Sequence, residues 1–269
     1  MSSMGTDGVG SVRSADGTVI AFERSGWGDP LVLIHGSSAE RGRWRGVLPL
    51  LESHFTVYAV DRRGRGASTD GDDYAFDREV DDVGAVLDSL SEPVTLLGHS
   101  YGGICSLEAT VRAKNLRRLI LYEPPIPTGA QIYEPGMIDR LQALHDAGDR
   151  EALVATFVTE VVRASPGQLE LMRSLPSWDA RVLAAHTLVR EVRAHEAYVF
   201  HPERWATFDT PTLLLLGGES PPFFTAATDA LEEALPRSTR RLLPGQQHAA
   251  MDTAPRLFVE EILRFTAQT

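Results

Sequence analysis

The chain is 269 residues long, 43% hydrophobic and 23% charged, with 26 basic against 37 acidic side chains and a formal net charge of −11. That balance belongs to a folded globular chain and not to a disordered one. The acidic excess argues against nucleic acid or an anionic membrane as partner, since both require clustered Lys and Arg. One cysteine, Cys105, excludes an internal disulfide and a multi-cysteine metal site.

Met1–Gly10 is rich in Gly and Ser, lacks the basic and apolar regions of a signal peptide, and reads as a short flexible leader. No apolar run approaches the roughly 18 residues of a membrane span, so the expected location is cytoplasmic. Val12–Phe22 reads as a hairpin turning at Asp16-Gly17. Leu31–Ile34 is a continuous apolar run, as in a strand buried on both faces, and Thr56–Val60, Val94–Leu97, Leu119–Tyr122 and Leu213–Leu216 repeat that pattern. Helix-like segments lie between the earlier runs, at Trp44–Leu51, Phe76–Leu90 and Ile104–Arg112. A last unit of helix Ala226–Leu235, strand Thr239–Leu243 and helix Pro255–Ala267 closes the chain. The alternation predicts an α/β fold, a mostly parallel twisted sheet with helices on both faces.

One region departs from it. From Ile126 to about Phe208 only helical periodicity is found, with breakers at Pro135-Gly136, Gly148, Pro166-Gly167 and Pro176. The expected organisation is a core of residues 1–125 and 209–269 carrying a helical cap, 126–208, near the carboxyl ends of the strands, where ligands bind in such sheets.

Chemistry concentrates in Gly98-His99-Ser100-Tyr101-Gly102-Gly103, after the strand Val94–Leu97 and before a helix starting near Ile104. This is the G-x-S-x-G nucleophile elbow in its strand–turn–helix setting, which lifts the Ser100 hydroxyl to the top of the sheet at a helix N-terminus. A side chain two residues to either side would clash in so tight a turn, and glycine occupies both places. His35-Gly36-Ser37-Ser38 follows the strand Leu31–Ile34, where such an architecture draws one oxyanion donor; Ser37 and Tyr101 are the expected backbone donors. The general base must be a histidine after the last strand. Of eight histidines, His35 and His99 fall inside the turn motifs, His54 at a solvated helix end, and His145, His186, His195 and His201 in the cap. His248, in Pro244-Gly245-Gln246-Gln247-His248, has the required position. Cys105, one turn into the helix behind Ser100, is expected to be a buried core residue.

Together these motifs resemble the α/β-hydrolase superfamily over nearly the whole chain, and Asp61-Arg62-Arg63-Gly64-Arg65-Gly66-Ala67-Ser68 resembles that superfamily's D-x-R-G-x-G-x-S loop. The resemblance implies a triad acid, and here the sequence departs from the common pattern: in Gly217-Gly218-Glu219-Ser220, Ser220 stands where an Asp is usual. Two carboxylates can fill the role. Glu219 lies one residue early. Glu123, followed by Pro124 and Pro125, is similar in place to the catalytic Glu of one branch of haloalkane dehalogenases, and it is the favoured assignment.

The expected activity is therefore hydrolysis of a carboxylic ester, lactone or related acyl bond through an acyl-enzyme, with a small-molecule substrate and with no cofactor or metal required. A lyase, a haloperoxidase-like activity or a carbon–carbon bond hydrolase built on the same Ser/His pair is the alternative, and a non-catalytic ligand receptor a further one. Cap residues Phe157, Met172, Trp178, Tyr198, Phe200 and Trp205 are candidates for an apolar pocket, half or more of them expected simply to pack the cap. Arg140, Arg163, Arg173, Arg181, Arg190 and Arg193 are candidates for a carboxylate site, most of them expected on solvated helix faces.

Overall fold

A computed structural model describes residues 8–129 and 132–267. Strands β1 (Gly8–Arg13) and β2 (Val19–Gly26) pair antiparallel with Arg13 opposite Val19. The reversal between them is held by Asp16, whose carboxylate accepts from Thr18 N–H at 2.9 Å. Gly8–Gly10, expected within the leader, instead form the start of β1 against Phe22–Arg24. Pairing partners are a tertiary matter that glycine content does not reveal. The rest of the expected leader, Met1–Asp7, lies outside the described residues.

After β3 (Asp29–Ile34) comes a 3₁₀ turn, Arg41–Trp44, then the single turn α1 (Leu48–Leu51). The continuous helix expected over Trp44–Leu51 does not form. Pro49 lies in the first turn of α1, where its missing N–H is tolerated, and it cannot sit further into a helix running from Trp44. Next follow β4 (Phe55–Val60), α2 (Phe76–Asp88), β5 (Val94–His99), α3 (Tyr101–Ala109) and β6 (Leu116–Tyr122). Helix α3 starts directly after Ser100, three residues ahead of the expected Ile104. Between β6 and the next strand are α4 (Met137–Asp146), α5 (Arg150–Thr156), a π-helical turn Phe157–Val161, α6 (Pro166–Ser174), α7 (Ser177–Leu183) and α8 (Leu188–Ala197). The chain then completes β7 (Thr212–Gly217), α9 (Pro222–Ala234), β8 (Ser238–Leu243), α10 (Ala250–Thr253) and α11 (Pro255–Thr266).

The eight strands form one sheet in the order β1-β2-β4-β3-β5-β6-β7-β8, parallel from β4 through β8. Alternate residues of the same strand enter opposite cores, which is why the strands read as largely apolar runs without polar alternation. Val32, Ile34, Leu96 and Leu121 pack with α2, α3 and α9, whereas Leu31, Leu33, Leu97 and Ile120 pack with α1 and α11. The helices from α4 to α8 hold a core of their own, including Leu141, Leu153, Val154, Trp178 and Leu188.

This helical layer is tied to the sheet by buried charge. Glu191 of α8 accepts from Arg62 Nη2 at 2.7 Å and also pairs with Arg65, while Arg62 bonds Glu79 of α2 at 2.6 Å. Thr187 adds a hydroxyl to Arg65 at 2.6 Å. Among the described residues no helix is long and apolar enough to cross a membrane.

Candidate active site

Ser100 joins β5 to α3 with φ 54° and ψ −129°, a conformation strained for any side-chain-bearing residue. Its N–H is held by the Tyr122 carbonyl at 2.9 Å. The two flanking glycines are needed for different reasons. A Cβ at Gly98 would stand 2.7 Å from Gly102 O, across the turn itself, as expected. A Cβ at Gly102 would instead stand 2.2 Å from the His35 carbonyl, so this glycine lets α3 pass close to the end of β3. Burial pushes the Cys105 thiol well above its ordinary range, leaving it a protonated core residue one turn behind Ser100.

His248 lies in the loop after β8 and lines the same cavity as Ser100. Its Nδ1 is 2.6 Å from Glu123 Oε2, and the other oxygen, Oε1, accepts from Gly217 N–H at 2.7 Å. Glu123 is fully buried (0% exposed) at the end of β6, with φ 46°. Glu219 is exposed, and only its backbone is tied in, donating to Gln246 O at 2.9 Å. The structure thus brings Glu123, and not Glu219, to the imidazole. Ser220 is no substitute acid; its buried hydroxyl finds no partner.

The His248 ring is fixed from several sides. It stacks on Phe224, ring centres 4.2 Å apart and 16° between planes, and lies 4.5 Å from the His99 ring. His99 Nε2–H donates to the His248 carbonyl at 3.0 Å. Burial first, then the neighbouring His248 and Arg43, keep His99 well below the usual histidine range and hence neutral. The Tyr122 hydroxyl donates to Gln247 O and accepts from Ala250 N–H at 3.1 Å, so one phenol pins the loop on both sides of His248. None of these supports was visible in the sequence, where Tyr122 reads only as an apolar strand residue.

Two lobes meet at Ser100. One is walled by Ser37, Ser38, Arg43, Arg181 and His248 with apolar residues of the helical layer including Phe157, Val158 and Met172. The other is walled by Tyr101, Ile132, Val161, Phe223 and Phe224 with Glu191 and His195. Ser37 and Tyr101, the expected backbone donors, both border the second lobe beside Ser100, and Tyr101 N–H belongs to the first turn of α3, whose donors have no intrahelical partner. Arg62 supports both: it donates to Gly36 O at 3.2 Å and lies over the Tyr101 ring at 4.8 Å.

Of the six cap residues singled out for an apolar pocket, Phe157 and Met172 line a lobe. Trp178 is in the cap core, while Tyr198, Phe200 and Trp205 pack against the sheet's α2–α3–α9 face. Among the cap histidines, His195 is buried and satisfied, between the Tyr133 hydroxyl at 2.5 Å and Pro125 O at 2.6 Å. No cluster of three or more His, Cys, Asp or Glu among the described residues is arranged to hold a metal ion.

Comparison with known proteins agrees with this architecture. The sequence profile described as the alpha/beta hydrolase family matches residues 31–261. A pimeloyl-[acyl-carrier protein] methyl ester esterase of Aeromonas hydrophila is 27% identical over 91% of this chain and 98% of its own length. The 2-hydroxy-6-oxo-6-(2'-aminophenyl)hexa-2,4-dienoic acid hydrolase of Metapseudomonas resinovorans is 22% identical over 95% of this chain and 90% of its own length. Among solved structures, an alpha/beta hydrolase from Sphaerobacter thermophilus is 33% identical, superposes with a TM-score of 0.84, and covers 96% of this chain and 100% of that one.

Proposed function

The chain belongs to the alpha/beta hydrolase family and is a hydrolase; from that premise we propose that it cleaves a carboxylic ester or related acyl bond of a small, largely apolar substrate through a Ser100–His248–Glu123 triad. The observation that carries this reading is the carboxylate–imidazole bond of 2.6 Å on the wall of the cavity that Ser100 also lines. A buried acid that accepts from Gly217 N–H with one oxygen and faces His248 Nδ1 with the other fixes the tautomer whose Nε2 is free to take a proton.

Ser100 Oγ attacks the carbonyl carbon as His248 Nε2 takes its proton. The negative charge that develops on the carbonyl oxygen is held by the backbone N–H groups of Ser37 and Tyr101, a reading supported by both residues lining the lobe beside Ser100. The imidazolium returns its proton to the departing alcohol, leaving an acyl-enzyme. Water activated by the same imidazole then releases the acid. Walls such as Phe157, Val158, Met172, Phe223 and Phe224 favour apolar portions on both sides of the scissile bond. The likeness to a methyl ester esterase over nearly the full length of both chains supports the ester reading.

Short 4-nitrophenyl esters test it. The parent should hydrolyse them with a burst of nitrophenol, an organophosphate should label Ser100, and Ser100→Ala should abolish both. Undiminished turnover by Ser100→Ala overturns the acyl-enzyme mechanism. A second reading, in which the same residues hydrolyse a carbon–carbon bond, draws on the likeness to a hydrolase named for a dienoic acid; analysis of the products separates the two.

A further inference from the structure

The cavity wall carries a cation for which the mechanism above has no use. Arg181 of α7 is 6% exposed and borders the same lobe as Ser100 and His248. Its Nη1 donates to Ser38 O at 3.0 Å, and its buried Nε has no partner. Among the described residues no carboxylate lies within the 4.0 Å of an ion pair with it.

The neighbouring cations are arranged otherwise. Arg43, on the same wall, is paired with Asp252 and in contact with Met251 Sδ at 2.8 Å. Arg190 is paired with Asp70 at 2.8 Å, and Arg140 and Arg173 pair with surface carboxylates. Arg181 alone of the cap arginines is both sealed from water and without a counter-charge at contact distance among the described residues. Its guanidinium is pushed down to about 9, by burial first and by Arg43 second, with Asp252 and Glu40 opposing from further away. Burying such a cation is unfavourable unless an anion joins it.

We propose that Arg181 is a carboxylate-binding residue, and that the substrate is an acyl compound bearing a free carboxylate, such as a half-ester of a short dicarboxylic acid. The proposal rests on the reading of Ser100 as nucleophile, and it specifies what that nucleophile is presented with. Because Arg181 already holds the carbonyl of Ser38, the residue after Ser37, a carboxylate on its remaining N–H groups would lie close to the oxyanion donors. This fits a chain of few carbons between the carboxylate and the scissile carbonyl. Arg181 thereby sets specificity and orients the substrate; it takes no part in bond making.

Two probes of matched length and leaving group test it: 4-nitrophenyl hydrogen glutarate, which carries a carboxylate, and 4-nitrophenyl pentanoate, which does not. The parent should favour the anionic probe in kcat/KM by at least about tenfold, as expected for hydrogen bonds to a charged group. Arg181→Met should bring that ratio close to one through KM, and Arg181→Lys should retain part of it. Equal losses on both probes in Arg181→Met would make the residue a mere support for Ser38 and overturn the proposal, as would a parent with no anionic preference. Glutarate binding to Ser100→Ala, followed calorimetrically, reads the subsite without catalysis. It should bind there and lose its affinity in Ser100→Ala/Arg181→Met, and absence of binding to the single variant sinks the proposal. Failure of the acyl-enzyme reading shows elsewhere, as activity surviving in Ser100→Ala.

Discussion

Glu123 Oε2 and His248 Nδ1 meet at 2.6 Å although 125 residues separate them in the chain. Glu123 reaches this place because β6 and β7 are neighbouring parallel strands, so that Gly217 N–H, at the end of β7, is available to hold the second oxygen. Glu123→Gln should keep the shape, lose the charge that stabilises the imidazolium, and lower kcat by roughly 10²–10⁴. Glu219→Gln should leave kcat/KM on 4-nitrophenyl esters near the parent value, because that carboxylate is exposed and the imidazole Nδ1 is already paired with Glu123. Ser220→Asp in the Glu123→Gln background places an acid at the family's commoner position and should restore part of the rate. Equal loss in the two single variants would remove Glu123 from its role.

The Tyr122 hydroxyl makes a different prediction, since it bonds Gln247 O and Ala250 N–H but no catalytic group. Tyr122→Phe keeps the ring against Phe258, 5.4 Å away, and leaves the buried Ala250 N–H unpaired, while the Gln247 carbonyl retains only its bond from Ala249 N–H at 2.8 Å. Stability should fall by about 1–3 kcal/mol. The loop carrying His248 should loosen, lowering kcat more than it raises KM. A melt that shifts with no change in kcat would make this hydroxyl structural only.

What could be read in advance follows from range. Leu31–Ile34 and Leu213–Leu216 announce themselves because a strand buried on both faces favours apolar residues at every position, a purely local requirement. Gly98 precedes Ser100 because a Cβ there would strike the turn itself, which is again a local requirement, whereas the need for Gly102 comes from the His35 carbonyl far away in sequence. Arg62, Arg65 and Glu191 carry no such local mark. Their charges look like solvated surface until the fold joins Arg62 to a residue 129 positions away. Arg181 was one of six equivalent cap arginines by sequence, and only its burial without a carboxylate distinguishes it. The strand at Gly8–Gly10 has no local mark because pairing, not propensity, decides it, whereas the break near Trp44 is local and written in Pro49.

Helix α8 is tied to the sheet by charge, and its Glu191 supplies the third prediction. Burial alone would raise this carboxylate, but Arg62, Arg65 and the Ser37 hydroxyl overcome it and hold Glu191 below the ordinary glutamate range. Glu191→Gln leaves two buried guanidinium groups short of a counter-charge and should cost about 3–5 kcal/mol. A carboxylate whose folded value is lowered stabilises fully above its unfolded value of 4.5 and loses that contribution as pH falls through the folded value. The gap in melting temperature between parent and Glu191→Gln should therefore be full at neutral pH and narrow below about 4.5. A gap that is constant down to pH 3 would mean the ion network contributes nothing to the difference.

Acid should also act through histidines that the fold keeps uncharged. His35 is wholly buried, its Nδ1 at 2.7 Å from Gly36 O and its Nε2 accepting from Arg62 N–H at 3.2 Å. Burial, then the charges of Arg62 and Arg65, keep it well below the histidine value of 6.5, as burial and His248 do for His99. His195 is lowered as well, by burial. In each case the unfolded chain binds a proton near pH 6.5 and the folded chain does not, so stability is complete above that pH and declines as pH falls below it. Every such histidine adds about 1.4 kcal/mol per pH unit to the slope. The free energy of unfolding, measured by urea titration at half-unit steps from pH 8 to 5, should be flat above about 7 and then fall with the uptake of more than one proton. Nitrogen chemical shifts of the imidazoles should meanwhile show His35 and His99 still neutral in the folded protein at pH 6. A flat stability profile over that interval, or charged rings at those two positions, would contradict the burial of the loop after β3 and of the turn at Ser100.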